Sequence, residues 1–518
     1  MADIRAKKPR QAREDTEVRI LNPYPNINAI PCETTTTTSS TGKVHPILLK
    51  IITAKSIKSP PAGRTKLFLE NWRKLTGDQN ILGTVMGWKI PFVRKPFQKN
   101  PPKQYSMGKT TSKIVSKEIA SMLGKGAIKV VPDCKNQFIS NIFVREKKDG
   151  GHRPIINLKQ LNAFIPYAKF KMETLKNVKG VIKQNDFMVK IDLKDAYFSL
   201  PINRNYRKYT RFRWEGTLYE FLCLTFGIGP APRIFTKVLK VPISLLRKLN
   251  IRIVIYIDDL LVFGATLEEV EQARDSVIYL LKNLGFVINY KKSILTPTQI
   301  IEFLGVLIDS LKMTMSIPLK KANKLKALCQ HTLMVKTITV KELSSVIGKL
   351  NATSPAFTHA QLQIRYLQRA LIKAETTTYK DKVYLNKKAR LELKWWLKNI
   401  HLMNGKPITI NPPDMTIASD AAKTGGWGAE CHGKETGGPW NREEMDLHIN
   451  ELEGLAAKNA ILTFTKLVKP SVLHLKIDNM TALKYLAKMG GTQNEYLIDI
   501  EKEVYTYLAS KKITLTLE

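Results

Sequence analysis

Apolar and polar positions alternate along this chain in two rhythms, and the rhythm changes from block to block. In IRIVIYIDDLLVFG (251–264), Val254, Ile255 and Ile257 precede a pair of aspartates and Leu260 to Phe263 follow them. Such short apolar runs around a polar pair predict two buried strands joined by a turn. FMVKIDLKDAYFSLPI (187–202) predicts another strand, Met188 to Ile191, ending at Asp192. Helical spacing governs TKLFLENWRKLTGD, from Thr65, and ITVKELSSVIGKLN, where Thr339 and Glu342 have the spacing of a capping box. KKARLELKWWLKNI closes that helical stretch, with Trp395 and Trp396 expected in a core. After NPPD (411–414), which reads as a linker, a strand-rich unit begins at Thr416.

The blocks divide the chain. Residues 1–60 hold KKPRQAR and ETTTTTSSTGK with little apolar periodicity, which predicts a disordered basic and Thr-rich tail. Residues 61–104 read as an extension and a Pro/Lys-rich linker, 105–310 as alternating helix and strand of the α+β kind, 311–405 as helical, and 414–518 as a further α/β unit.

Charge changes the picture most. Against 44 Asp+Glu stand 83 Lys+Arg, a formal net charge of +39, which calls for a polyanionic partner. Without an apolar run of membrane-spanning length or a signal peptide, nucleic acid is expected as that partner and a membrane is not. The cysteines, Cys32, Cys134, Cys223, Cys329 and Cys431, are odd in number and widely spaced, which suits neither a disulfide framework nor a zinc site. A reducing compartment, cytoplasm or nucleus, is therefore expected.

Carboxylates inside apolar runs supply the candidate chemistry. Asp258–Asp259 could simply turn a hairpin. With Asp192 at a strand end, they also furnish the oxygen ligands of a site for two Mg²⁺, with Mn²⁺ as a substitute, and Asp195 lies one turn further on. Bound metals would offset the cost of placing like charges together in an apolar setting.

YIDD with apolar flanks, beside KIDLKDAYFSLPI, resembles the palm of reverse transcriptases. SNIFVREKKDGGHRPIINLKQLN (140–162), LTFGIGPAPRIFTK (224–237), LGFVINYKKS (284–293) and EFLGVLID (302–309) resemble further blocks of that family, in its order. The resemblance implies a right-hand polymerase of fingers, palm and thumb, working on an RNA template, a DNA primer and dNTPs. It gives Asp192, Asp258 and Asp259 as catalytic metal ligands. Lys147 (with Lys148 adjacent) and Arg153 would reach the triphosphate, and Asp195, Ala196, Phe226 and Gly227 would border the nucleotide. Tyr197 would exclude a ribose 2′-hydroxyl, and Lys291 or Lys292 would act as a general acid. Phe226 stands where retroviral enzymes carry Gln, which leaves Gly227 and backbone contacts to hold the nucleotide.

A second carboxylate set follows. Asp420 in TIASDAAKTGGWGAE, Glu451 and Glu453 in INELEGLAAKNAI, and Asp478 in VLHLKIDNMTALKYL fall on strand, helix and strand, and resemble the RNase H fold. The resemblance implies metal-dependent cleavage of the RNA strand of an RNA–DNA hybrid. Glu453, three residues before Ala456, fits its pattern better than Glu451, a first-turn acid. The family's later strand, its His-bearing loop and last Asp are expected past Glu518, so this unit is expected to be C-terminally incomplete and weak as a nuclease.

With the segments GRTKLFLENWRKLTGD and VKELSSVIGKLN, the ensemble looks most like DIRS-type or Ngaro-type retrotransposons, with gypsy-type elements next. The competing reading is a decayed or domesticated element that binds nucleic acid without chemistry. A binding module has no need of Asp192, Asp258, Asp259, Asp420 and Asp478 together, which favours the enzyme.

Overall fold

A computed structural model describes residues 43–57, 59–146, 152–374, 378–466 and 468–518, without the Arg153 side chain. The chain forms two compact units, and it crosses between them several times. The first comprises the chain up to 172 with 193–250 and 275–289; the second comprises 173–192, 251–274 and 290–518. These units cut across the linear block boundaries expected from sequence, because strand pairing joins segments far apart in the chain.

In the first unit a sheet runs in the order Ile128–Val130, Thr217–Phe221, Arg211–Trp214, Ile139–Ser140, beside the hairpin Ile142–Glu146 and His152–Ile156. The helices Lys109–Gly124 and Ala231–Lys248 belong to it, as does the expected amphipathic helix, observed at Leu69–Leu75 with Trp72 fully buried. The Trp72 indole N–H donates to the Leu284 carbonyl at 3.0 Å. The expected tail boundary at residue 60 is too late. Pro46–Ile51 is a helix with Leu48 buried, and the Lys55 N–H donates to the Asn283 side chain at 3.0 Å. The few apolar residues of HPILLKII, too short to show a period, find a ready surface. Residues 1–42 lie outside the described residues.

In the second unit four antiparallel strands run in the order Ile294–Thr298, Phe187–Asp192, Asp259–Gly264, Arg252–Tyr256. Met188, Val189, Leu260, Leu261 and Val262 are fully buried, as apolar runs in a covered sheet should be. Arg252 on the outer strand pairs with the buried Asp186 through two bonds of 2.6 and 2.7 Å. The Glu173 carboxylate accepts the Ile255 N–H at 2.9 Å, which covers part of that exposed edge.

The helices Leu319–Met334, Val340–Asn351, Arg365–Lys373 and Lys387–Asn399 follow, around a core with Leu343, Phe357 and Trp396 fully buried. Thr339 and Glu342 form the capping box their spacing predicts. Last comes a five-stranded sheet in the order Lys434–Gly438, Gly426–Cys431, Met415–Ala422, Val472–Ile477, Thr514–Leu517. The first three strands are antiparallel and the last two join in parallel. The strand expected past Glu518 is therefore present as Thr514–Leu517, which corrects that part of the sequence reading. ITLTLE is short and half polar, so its period alone marks it poorly. Among the described residues no helix is long and apolar enough to cross a membrane.

Candidate active sites

The first site is built by strand register. Asp192 lies opposite Asp259, and Tyr256 also faces Asp259, so the hairpin turns through Ile257 and Asp258 alone. Ile257 takes φ +54°, a left-handed conformation that a β-branched residue adopts only at a cost of about 1–3 kcal/mol. The tight turn sets Asp258 at the tip, next in the chain to Asp259, which pairs with Asp192. All three aspartates are partly exposed. Burial, then the negative charges of Asp258 and Asp192, push the Asp259 carboxyl up to about 6, with Lys190 and Lys292 pulling against them. Around Asp192 the backbone is pinned: its N–H donates to the Ser293 hydroxyl at 3.0 Å.

Lys190 and Ser293 were not singled out from sequence. Lys190 could have been, as the polar position in the alternating FMVKID strand; Ser293 carries no such signal.

The residues expected around the nucleotide fall in the first unit, except Lys291, which belongs to the second. Asp195 has φ +51°, and its carboxylate pairs with Lys125 at 3.0 Å, so it is held as an ion-pair partner. Ala196 and Tyr197 are buried, and the Tyr197 ring packs against Phe226 and Phe235 with centroids 5.2 and 5.5 Å apart. Gly227 has φ +99°, and a Cβ there would come within 2.6 Å of the Ile156 carbonyl, so only glycine fits. Arg153 lies on the strand His152–Ile156 and Lys147 outside the described residues. Lys291 is exposed just ahead of the strand Ile294–Thr298.

The second site is the tighter one. Parallel pairing of Ser419 with Ile477 sets Asp420 beside Asp478 where that ladder ends, both exposed. Glu453, 4% exposed, reaches them from the helix Ile449–Phe464, and ligand oxygens of the three lie within 4.8 Å of one another. Among the described residues no other three acidic, His or Cys side chains converge so closely, the palm aspartates included. Burial first, then Asp420 and Asp478, raise the Glu453 carboxyl to about 7. Its Oε2 is buried without a hydrogen-bond partner. An orphaned buried oxygen facing two more carboxylates is what a hard divalent cation fits. Glu451 points elsewhere: it accepts the His448 N–H at 2.9 Å and the Asn494 amide at 2.7 Å. Glu430, Glu435 and Glu518 line the same cavity of about 760 Å³ with Asp420 and Asp478. Lone glutamates on an exposed strand gave no reason to expect them there.

Comparison with known proteins bears on the first site. Residues 145–308 match the family described as "Reverse transcriptase (RNA-dependent DNA polymerase)". That segment carries a reverse transcriptase domain. The genome polyprotein of Petunia vein clearing virus (isolate Shepherd) is 30% identical over 161 residues, 31% of this chain and 7% of the polyprotein. The putative enzymatic polyprotein of Cassava vein mosaic virus is 29% identical over 285 residues, 54% of this chain and 41% of that protein. The Tf2-3 transposon polyprotein of Schizosaccharomyces pombe (strain 972 / ATCC 24843) is 24% identical over 209 residues, 40% of this chain and 15% of its own length. The chain thus spans less than half of each of these relatives.

Among solved structures, the foamy viral protease-reverse transcriptase dRH in complex with dsDNA matches with a TM-score of 0.56. It is 16% identical, with 91% of this chain and 85% of that one covered. The foamy viral protease-reverse transcriptase in complex with RNA/DNA hybrid gives 0.54 at 16% identity, covering 94% and 64%. At this identity the likeness is one of fold.

Proposed function

We propose that this chain is the RNA- and DNA-directed DNA polymerase of a retroelement, with an RNase H-like domain directed at the RNA strand of hybrids. The observation that carries the reading is the pairing of Asp192 with Asp259 beneath a strained hairpin tip that presents Asp258. Asp192, Asp258 and Asp259 would hold two Mg²⁺. Bound there, the metals would favour the ionised primer 3′-hydroxyl and stabilise charge on the departing pyrophosphate. Lys190 and Lys292 temper the negative field at Asp259. Tyr197, locked by Phe226 and Phe235, serves as the wall that rejects a 2′-hydroxyl. The +39 charge supplies the grip on template and primer backbones.

Asp420, Glu453 and Asp478 would hold Mg²⁺ in the second site, where it would activate water for hydrolysis of RNA. The DIRS-type or Ngaro-type lineage rests on the combination of the N-terminal helix segment, the capped helix Val340–Asn351 and the RNase H-like unit. The partners follow: RNA template, DNA primer, RNA–DNA hybrid and dNTPs, in cytoplasm or nucleus. The test is extension of oligo(dT) on poly(rA) by the purified chain with Mg²⁺ or Mn²⁺. Metal-dependent synthesis is expected, and its absence with both metals would refute the proposal.

A further inference from the structure

Within the first unit a groove of about 780 Å³ runs between the helix Gln79–Gly87 and the helix Ala231–Lys248. One wall carries Arg233, Lys237 and Lys240, spaced four and three residues apart, so they form a single stripe along the helix. Lys89 adds a fourth cation. None of the four takes part in an ion pair among the described residues. The only acid in the lining is Asp78, and its Oδ1 already accepts the N–H groups of Asn80 and Ile81 as the helix cap. Thr76, Gln79, Asn80 and Thr84 make the opposite wall polar but uncharged. Ile234, Val238 and Val241 supply an apolar floor. The groove therefore offers unpaired cations, uncharged hydrogen-bonding groups and an apolar base side by side.

We infer that this groove is a second nucleic-acid site, which takes the sugar–phosphate backbone of a single strand. Seven helical residues span roughly 10 Å, which matches about two to three successive phosphates of a strand rising 3.4 Å or more per nucleotide. Cations answer the phosphates, and the apolar floor takes sugar or base faces. The cations contact no base edge in a defined pattern, so recognition is indifferent to sequence. A grip of this kind lets the chain hold unpaired template or displaced strand while the duplex is engaged elsewhere. The inference is independent of the polymerase chemistry, though it shares the nucleic-acid partner.

The test uses the full chain with unlabelled blunt RNA–DNA hybrid in saturating amount, and a labelled twelve-nucleotide oligo(dT) followed by fluorescence anisotropy. Wild type is expected to bind the oligonucleotide under these conditions. Arg233→Gln/Lys237→Gln/Lys240→Gln is expected to weaken it at least tenfold and to flatten the salt dependence by about 2 in slope, at 0.7 per phosphate contact. A second variant removes nothing: Gly83→Glu sets a carboxylate in the groove wall, where a Cβ meets nothing within 4 Å. It is expected to weaken oligonucleotide binding comparably with an unchanged melting temperature. Both variants should keep wild-type affinity for the hybrid. Unchanged oligonucleotide affinity in both variants would overturn the inference, as would tighter binding of a poly-Glu peptide than of oligo(dT). Failure of primer extension with groove binding intact would refute only the polymerase reading.

Discussion

Glu501 should make the second unit lose stability as pH rises, and Glu501→Gln should abolish that loss. Glu501 lies on the helix Glu495–Lys511, 1% exposed, and neither carboxylate oxygen has a hydrogen-bond partner. Arg365 supplies positive charge to Glu501, but each of its three nitrogens donates elsewhere. Nε donates to the Met489 carbonyl at 2.9 Å, Nη2 to the Lys488 carbonyl and Nη1 to the Gln368 side chain at 3.1 Å. Tyr505 gives its hydroxyl to the Leu486 carbonyl instead. Burial therefore dominates and pushes the Glu501 carboxyl up to about 8 from an ordinary 4.5, with Arg365 and the nearby Gly490 N–H, which itself donates to the Tyr485 carbonyl, pulling the other way. Below pH 4.5 folded and unfolded chains both hold the proton, and the group has no effect. Above it the unfolded chain releases the proton while the folded one keeps it, so stability falls until the folded group ionises near pH 8. At pH 7.5 the interval of three pH units is worth about 4 kcal/mol, at 1.36 kcal/mol per unit. Glutamine keeps the volume and cannot ionise. Thermal melting followed by circular dichroism should place the Glu501→Gln midpoint above wild type by roughly 8–16 °C at pH 7.5, at 2–4 °C per kcal/mol. The two should coincide within about 2 °C at pH 4.5. A variant less stable than wild type at pH 7.5 would show that Glu501 is ionised and paired with Arg365, and would refute the reasoning.

Glu453→Gln should raise the melting midpoint in EDTA at pH 8, where repulsion from Asp420 and Asp478 is strongest, and should erase the Mg²⁺-dependent rise of wild type; an equal Mg²⁺ response in both proteins would disprove a metal site there. Tyr197→Val should increase ribonucleotide relative to deoxyribonucleotide incorporation by roughly tenfold, about 1.4 kcal/mol of lost discrimination, in single-turnover assays. Unchanged discrimination would make Tyr197 a core residue only. Affinity for RNA–DNA hybrid should fall steeply between 50 and 200 mM salt, by about 10³ if six phosphates or more are gripped, whatever the base sequence. A flat salt response in equilibrium binding would leave the net charge as solvation.

Elements whose apolar pattern is long or bracketed by special residues were legible in the sequence. The strand ending at Asp192, the capped helix at Val340 and the helix carrying Glu453 all stand where period and turn chemistry put them, whereas the hairpin turns one residue earlier than its pattern suggests, with Ile257 in the turn and Asp259 in the strand. Pro46–Ile51 and Thr514–Leu517 were not, because elements of six and four residues hold too little period, and only tertiary packing and strand pairing define them. Asp195 shows the same limit at a site: its ion pair with Lys125 joins residues 70 apart in sequence, and no local pattern announces it. Register, too, is a tertiary fact. The sequence could propose that Asp192 and Asp258–Asp259 meet, but the pairing of Asp192 with Asp259 rests on the whole strand ladder.

If the palm carboxylates carry DNA synthesis, Asp258→Asn should stop it without loosening the grip on nucleic acid. Asparagine keeps the size of the side chain at the hairpin tip and removes its metal-binding charge. Primer extension on poly(rA)/oligo(dT) should fall by about a thousandfold or more, some 4 kcal/mol of transition-state stabilisation. Affinity for the same primer–template, measured by anisotropy, should stay within about threefold, because phosphate contacts by Lys and Arg dominate it. Synthesis by Asp258→Asn within tenfold of wild type would contradict the account.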